Sequence, residues 1–232
     1  MTLSENDAMK KAAADKAADE YIKDGMTVGL GTGSTAFFAI KRIGERVADE
    51  RLTLTCVSTS EKSAQLGRSC GLNIVPFEGT GAIDVTIDGA DEIDPQLQLI
   101  KGLGGALLRE KIIAAATETE VIIADGSKLV DMLGTTSPLP VEVIRFGYER
   151  TKYALEKQGC VATLRTKDGE IFITDEGNYI YDCMFNTIDR PFFLESRLNI
   201  IPGVIDNGLF LNTASVALIA RGPDDVETLR RS

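Results

Sequence analysis

The chain has 232 residues, with 25 Lys and Arg against 35 Asp and Glu, a formal charge of −10, 44% hydrophobic and 26% charged residues. This is a globular composition with material for one large domain or one and a half, which excludes disorder and a mini-protein. The acidic balance opposes nucleic acid and anionic membrane as partners, because both need a basic face. No apolar run approaches the roughly twenty residues of a membrane span, and the alanine-rich start has no apolar leader segment. The expectation is a soluble cytoplasmic protein. Histidine is absent, so imidazole catalysis is closed and acid–base work falls to carboxylates, lysines or tyrosines. The four cysteines, Cys56, Cys70, Cys160 and Cys183, are widely spaced, with no pattern for structural zinc.

In chain order, Ala8–Ile22 has helical apolar spacing and stops at Gly25. Met26–Leu30 reads as a strand, Gly31-Thr32-Gly33 as a turn with the helix N-cap falling within Thr32–Ser34, and Ser34–Glu50 as a helix. A strand Leu52–Ser58, a helix Glu61–Cys70 and a strand Asn73–Phe77 follow, then a strand Ile83–Ile87, a helix Ala106–Thr117 and a strand Val121–Ala124. This alternation predicts an α/β fold, a Rossmann-like, mostly parallel sheet with helices on its faces. The loop Thr135–Pro140, with two prolines, marks a boundary. Beyond it come a strand Val141–Phe146, a helix Glu149–Gln158, a hairpin Cys160–Thr166 and Glu170–Thr174, a strand Asn178–Cys183, a helix Arg190–Leu198 and a strand Val204–Leu211. That order suggests a ferredoxin-like α+β unit. A strand Ser215–Ala220 and a closing helix Pro223–Arg231 return the chain to the first domain. The domain division expected is 1–133 completed by 212–232, with 134–211 as the smaller domain.

Four loops carry candidate chemistry. Gly29-Leu30-Gly31-Thr32-Gly33-Ser34-Thr35 lies between a strand and a helix, where glycines admit an anion to the backbone and the helix N-terminus favours phosphate. A dinucleotide site would need an acidic residue at the end of the second strand, yet that strand ends in Val57-Ser58-Thr59-Ser60. A phosphate monoester suits the turn better. Asp88-Gly89-Ala90-Asp91-Glu92-Ile93-Asp94 places four carboxylates just after a strand, at the edge where α/β sheets form their crevice. Crowded carboxylates raise one another's pKa, one route to proton transfer near neutrality. Magnesium on one or two of them is the rival reading, and Glu92 and Asp94 also fit a solvated acidic turn.

Lys101-Gly102-Leu103-Gly104-Gly105-Ala106 is a second glycine turn entering a helix, suited to stabilising an oxyanion through an ammonium and backbone amides. Glu110 follows inside that helix and fits a general base, although Arg109-Glu110-Lys111 also reads as a solvated face. In Asp125-Gly126-Ser127-Lys128, Lys128 offers a positive charge for phosphate. Lys11, on the first helix, is a further candidate of that kind. Ser58–Ser63 is left out of the site.

The order of these loops, together with Pro138-Leu139-Pro140-Val141-Glu142-Val143 and Ile201-Pro202-Gly203-Val204, resembles the type A ribose-5-phosphate isomerases over nearly the whole chain. The resemblance implies an aldose–ketose isomerase of the pentose phosphate pathway that acts on a pentose 5-phosphate and needs no metal or cofactor. It assigns Thr32, Gly33, Ser34 and Thr35 to substrate binding, with Lys128 on the phosphate. It makes Glu110 the proton acceptor, gives Asp88 and Asp91 ring opening and hydroxyl proton transfer, and sets Lys101 with the Gly102, Leu103 and Gly104 backbone against the enediolate. Gly89 and Ala90 join the substrate-binding set, and a homodimer or homotetramer is implied. A non-catalytic sugar-phosphate sensor and a nicotinamide oxidoreductase are the competing classes; the same sheet hosts many activities.

Overall fold

The computed structural model describes residues 3–231. The chain begins with α1 (Glu5–Tyr21), β1 (Thr27–Leu30), α2 (Ser34–Glu50), β2 (Thr55–Ser58), α3 (Glu61–Ser69) and β3 (Ile83–Gly89). It continues through β4 (Glu92–Ile93), β5 (Leu99–Ile100), α4 (Leu107–Ala115) and β6 (Thr117–Asp125) to a single 3-10 turn, Gly126–Lys128. Then follow β7 (Leu139–Val143), α5 (Tyr148–Glu156), β8 (Val161–Leu164), β9 (Thr166–Lys167), β10 (Glu170–Ile171) and β11 (Tyr179–Met184). The last elements are α6 (Pro191–Asn199), β12 (Val204–Asn207), β13 (Leu209–Phe210), β14 (Val216–Gly222) and β15 (Asp225–Arg230). By its internal contacts the chain forms two units. The first runs to Ala90 and includes Arg109–Lys128 and the chain from Thr213; the second is Asp91–Leu108 with Leu129–Asn212. Among the described residues no helix is long and apolar enough to cross a membrane.

The first unit is a six-stranded sheet in the order β15-β14-β6-β3-β1-β2, parallel except for β15. Val121-Ile122-Ile123-Ala124 is buried at every position, as a strand covered on both faces requires. On α1 the small side chains Ala13, Ala14, Ala17 and Ala18 are wholly buried, so the helix sits close to α2 and the sheet. On α2, Ala36, Ala39, Ile40 and Ile43 recur at helical spacing and turn inward.

Four expected elements differ. The expected strand Cys160–Thr166 divides into β8, which pairs with β11, and β9, which pairs with β10. The closing segment is a strand, β15, folded back on β14 through the turn after Gly222, and not a helix. Its two apolar residues, Val226 and Leu229, are too few for a helix face, and pairing satisfies the outer edge of the buried strand β14. Asn73–Phe77 makes only a bridge from Ile74 to Cys56, because Pro76 has no amide to continue a ladder. Val204–Leu211 is two strands that join different sheets. The break falls at Gly208, where a Cβ would stand 2.2 Å from the Lys101 carbonyl oxygen.

The second unit contains a four-stranded antiparallel sheet, β12-β7-β11-β8, with α5 between β7 and β8 and α6 between β11 and β12. That βαββαβ order is the ferredoxin-like arrangement. Leu139, Val141, Val143, Leu155, Tyr181 and Leu198 share its core. A second, three-stranded sheet, β13-β5-β4, belongs to the same unit.

Glu142, on β7, is 1% exposed and its Oε1 accepts hydrogen bonds from Thr174 Oγ1 and Asn178 Nδ2, each at 2.9 Å. Burial pushes its carboxyl above the usual range, more than these two bonds pull it down. The folded state therefore holds the proton more tightly than the unfolded chain, and stability declines as pH rises through the interval between the ordinary and the raised value. Glu142→Gln keeps the accepting oxygen and removes the charge. The variant is expected to gain melting temperature relative to the parent at pH 7 but not at pH 4, at roughly 2–4 °C per kcal/mol for a chain of this size. Equal differences at both pH values would show that the buried charge costs nothing.

Candidate active site

In the first unit the chain leaves β1 toward β2 on one side, while β3 lies on the other. The carboxyl ends of β1 and β3 thus flank the point where strand order reverses, the place such sheets open a crevice. Register aligns Leu30 with Ile87 and with Ser58, which sets the Gly31–Thr35 turn, Asp88 and Thr59 at one level. Asp88 is 1% exposed, and its Oδ1 accepts the amides of Thr32 at 2.9 Å and Gly89 at 2.7 Å. Gly31 permits this: a Cβ there would stand 2.2 Å from Asp88 Oδ1 and 2.4 Å from its Cγ. Gly31→Ala is expected to displace the Asp88 carboxylate and cost about 1–3 kcal/mol of stability, as overpacking does, with turnover lost in the fraction that still folds. Wild-type melting and turnover in that variant would show the contact to be unimportant.

The N-cap of α2 is Gly33, at φ 112°, and no side chain among the described residues caps it. The N-cap thus falls within the expected span Thr32–Ser34, at its glycine; Ser34 is exposed at the first helical position. The opening amides of α2 are consequently left without a side-chain acceptor, the condition that favours an anion. A cavity of about 450 Å³ reaches this end of the helix, lined in part by Gly33, Ser34, Phe37, Lys62 and Ser63.

Behind the turn lies a cluster that sequence reasoning left out. Thr32 Oγ1 lies 2.7 Å from Thr59 Oγ1, donates to Ser60 Oγ at 2.8 Å and lies 3.2 Å from Ser63 Oγ. Ser60 Oγ donates to Ser63 Oγ at 3.0 Å, and Ser63 Oγ donates to the Gly31 carbonyl at 2.7 Å. The signal was present as the hydroxyl run Ser58-Thr59-Ser60, with Ser63 one turn on.

Lys128 ends the 3-10 turn after β6, next to β3 in the sheet, and is half-buried. Asp125 Oδ1 shapes that turn by accepting the Ser127 amide at 2.9 Å and the Ser127 hydroxyl. Lys11 forms an ion pair with Asp15 one turn along α1. Glu110 stands in the first turn of α4 at 4% exposure. The solvated-face reading of Arg109-Glu110-Lys111 fails for this residue and holds for Arg109, whose Nη1 meets the exposed Glu61 Oε1 at 2.9 Å.

The second unit holds the other half of the predicted set. Asp91 Oδ2 accepts the Leu103 amide at 2.9 Å, and the Asp91 amide donates to the Ile100 carbonyl at 2.8 Å, so this carboxylate and the second glycine turn are held together. Lys101 is 3% exposed, with Nζ 5.2 Å from the centre of the Phe210 ring. Gly102, at φ 106°, has Leu107 Cβ where its own Cβ would come within 2.8 Å. Leu103 and Gly104 are exposed.

One residue here escaped the sequence reading, and another has a different role from the one expected. Arg165 Nη1 donates to the carbonyls of Gly102 at 2.8 Å and Leu103 at 3.2 Å while Asp182 holds its guanidinium. Glu92 is wholly buried and accepts the amides of Gly134, Thr136 and Ser137, each at 2.6 Å, and the Thr136 hydroxyl at 2.7 Å. It is a loop clamp and not a solvated acid. Asp94, also buried, closes its own turn by accepting from the amides of Gln96 and Gln98. Among the described residues no group of three or more Cys, Asp or Glu side chains is arranged to hold a metal.

These features define the class: an α/β protein whose first unit has a parallel sheet with a glycine turn into an uncapped helix at the strand-order reversal, and whose second unit holds buried carboxylates and a buried ammonium in its own loops. The family model of ribose 5-phosphate isomerase A (phosphoriboisomerase A) matches residues 55–223. Ribose-5-phosphate isomerase A of Synechococcus sp. (strain JA-3-3Ab) is 47% identical over 232 residues, covering 99% of this chain and 100% of its own. The ribose 5-phosphate isomerase structure from Plasmodium falciparum is 42% identical with a TM-score of 0.94, over 97% of this chain and 99% of that one. A further D-ribose-5-phosphate isomerase structure, described as in complex with phospho-erythronic acid, is 39% identical with a TM-score of 0.93, over 99% of this chain and 100% of that one. The chain belongs to the ribose 5-phosphate isomerase A family and is an isomerase.

Proposed function

We propose that the protein interconverts D-ribose 5-phosphate and D-ribulose 5-phosphate through a cis-enediolate, with Glu110 carrying the proton between C2 and C1. The observation that carries this reading is the nearly full-length likeness to an isomerase described in complex with phospho-erythronic acid. That molecule is a four-carbon phosphate ester whose carboxylate has two oxygens laid out like those of an enediolate. The same charge layout recurs in the reaction. Removing the C2 proton from the open aldose puts negative charge on O1, which the Lys101 ammonium and the amides of Gly102, Leu103 and Gly104 stabilise. The protonated Glu110 then delivers to C1, and Asp88 and Asp91 serve ring opening and proton exchange between the two hydroxyls. One base suffices because both carbons lie on one face of the planar intermediate.

Gly33, Ser34 and Thr35 at the start of α2 hold the phosphate with Lys128 and Lys11, whose charges offset the repulsion of a chain at −10. Gly89 and Ala90 border the sugar. The reading assigns no metal and no cofactor, places the enzyme in the non-oxidative pentose phosphate pathway of the cytoplasm, and keeps 134–211 as the inserted domain. A homodimer or homotetramer fits Phe146, Val161 and Ile200 of the second unit, which stand 91%, 67% and 69% exposed.

Incubating the purified protein with ribose 5-phosphate in excess chelator tests the proposal. Ketose accumulating to equilibrium supports it. Binding without ketose assigns a non-catalytic sugar-phosphate site, and turnover abolished by the chelator assigns the aspartates to a metal.

A further inference from the structure

The hydroxyl cluster behind the first glycine turn has a direction. Ser63 gives its proton to the Gly31 carbonyl, Ser60 gives its own to Ser63, and Thr32 gives its own to Ser60. With the Thr32 proton so placed, the 2.7 Å contact between Thr32 Oγ1 and Thr59 Oγ1 takes its proton from Thr59. The Thr59 hydroxyl also donates to the Leu30 carbonyl at 3.1 Å, so its proton is shared between Thr32 Oγ1 and that carbonyl, which accepts the Thr59 amide as well at 3.0 Å. The result is one chain, Thr59 to Thr32 to Ser60 to Ser63 to the Gly31 carbonyl, in which each bond polarises the next. Thr59 is wholly buried, and Ser60 and Ser63 are 5% exposed. A valine would fill the space of Thr59 without the cost of burying a hydroxyl. The amide of Thr32 is committed as well, to Asp88 Oδ1.

We infer that Thr59, Ser60 and Ser63 are positioning residues that fix the first glycine turn through the Thr32 hydroxyl and the Gly31 carbonyl, and that Thr32 itself orients the turn and donates nothing to the phosphate. The inference rests on the phosphate reading of that turn given above. It removes Thr32 from the ligand donors and leaves the grip to Gly33, Ser34 and Thr35. With the chain intact the α2 amides and the Asp88 carboxylate keep one fixed relation; breaking it anywhere loosens the turn.

Thr59→Val deletes the first hydroxyl at nearly constant volume. It is expected to raise both the KM for ribose 5-phosphate and the dissociation constant for inorganic phosphate, measured by calorimetry, about five- to tenfold, the size of one lost hydrogen bond. Thr59→Ser restores both. Ser63→Ala, which frees the Gly31 carbonyl at the other end, produces the same paired rise and serves if the valine variant does not fold. Variants that lose melting temperature while keeping parental KM and phosphate affinity overturn the inference, as does a serine variant no better than valine. A parent protein that binds phosphate but forms no ketose overturns the isomerase reading instead, and the phosphate affinities still decide the role of the hydroxyls.

Discussion

Glu110→Gln is expected to lower kcat by about 10²–10⁴, the range a positioned general base supplies, with little change in KM. Gln has the shape of Glu and keeps one accepting oxygen, so the buried first turn of α4 is preserved and the change is confined to basicity. Glu110 is 4% exposed, which keeps bulk water from substituting for it. An equal loss in kcat and in kcat/KM marks an interaction made only in the transition state. A fully active variant would assign the C2 proton to another carboxylate.

Lys101→Met comes second in size. The methionine stem fills the space of the lysine and stays against the Phe210 ring, so folding is retained while the positive charge is lost. An oxyanion donor is worth about 2.7–4 kcal/mol, or roughly 10²–10³ in kcat, and the loss is expected in kcat. Lys101→Arg does not rescue it, because a planar guanidinium does not fit the place of a compact ammonium. A rise in KM alone would show that Lys101 binds ground state and transition state alike.

Much of the first unit is legible in the sequence because its cues are local. Val121–Ala124 is a continuous apolar run, as a doubly covered strand must be, and Ser34–Glu50 has its helical bounds and its inward face written in Ala36, Ala39, Ile40 and Ile43. The loops that carry the proposed site residues stand out in the sequence because glycines and carboxylates concentrate at strand ends. The rest depends on partners distant in sequence. Glu92 reads as one more surface acid until three amides more than forty residues on are seen to converge on it. Arg165 acts on carbonyls sixty residues earlier, and nothing local marks it. The strand β15 and the break at Gly208 were missed for the same reason: an edge to be paired and a carbonyl to be avoided are properties of neighbours in space.

The most direct measurement is isotope entry during turnover. Parent protein and Glu110→Gln are supplied with ribose 5-phosphate in D₂O, and deuterium at C1 of the ketose and C2 of the recovered aldose is followed by NMR. The account predicts deuterium in the products of the parent and its loss, with turnover, in the variant. Rapid deuterium incorporation by Glu110→Gln, at the rate of the parent, would contradict it.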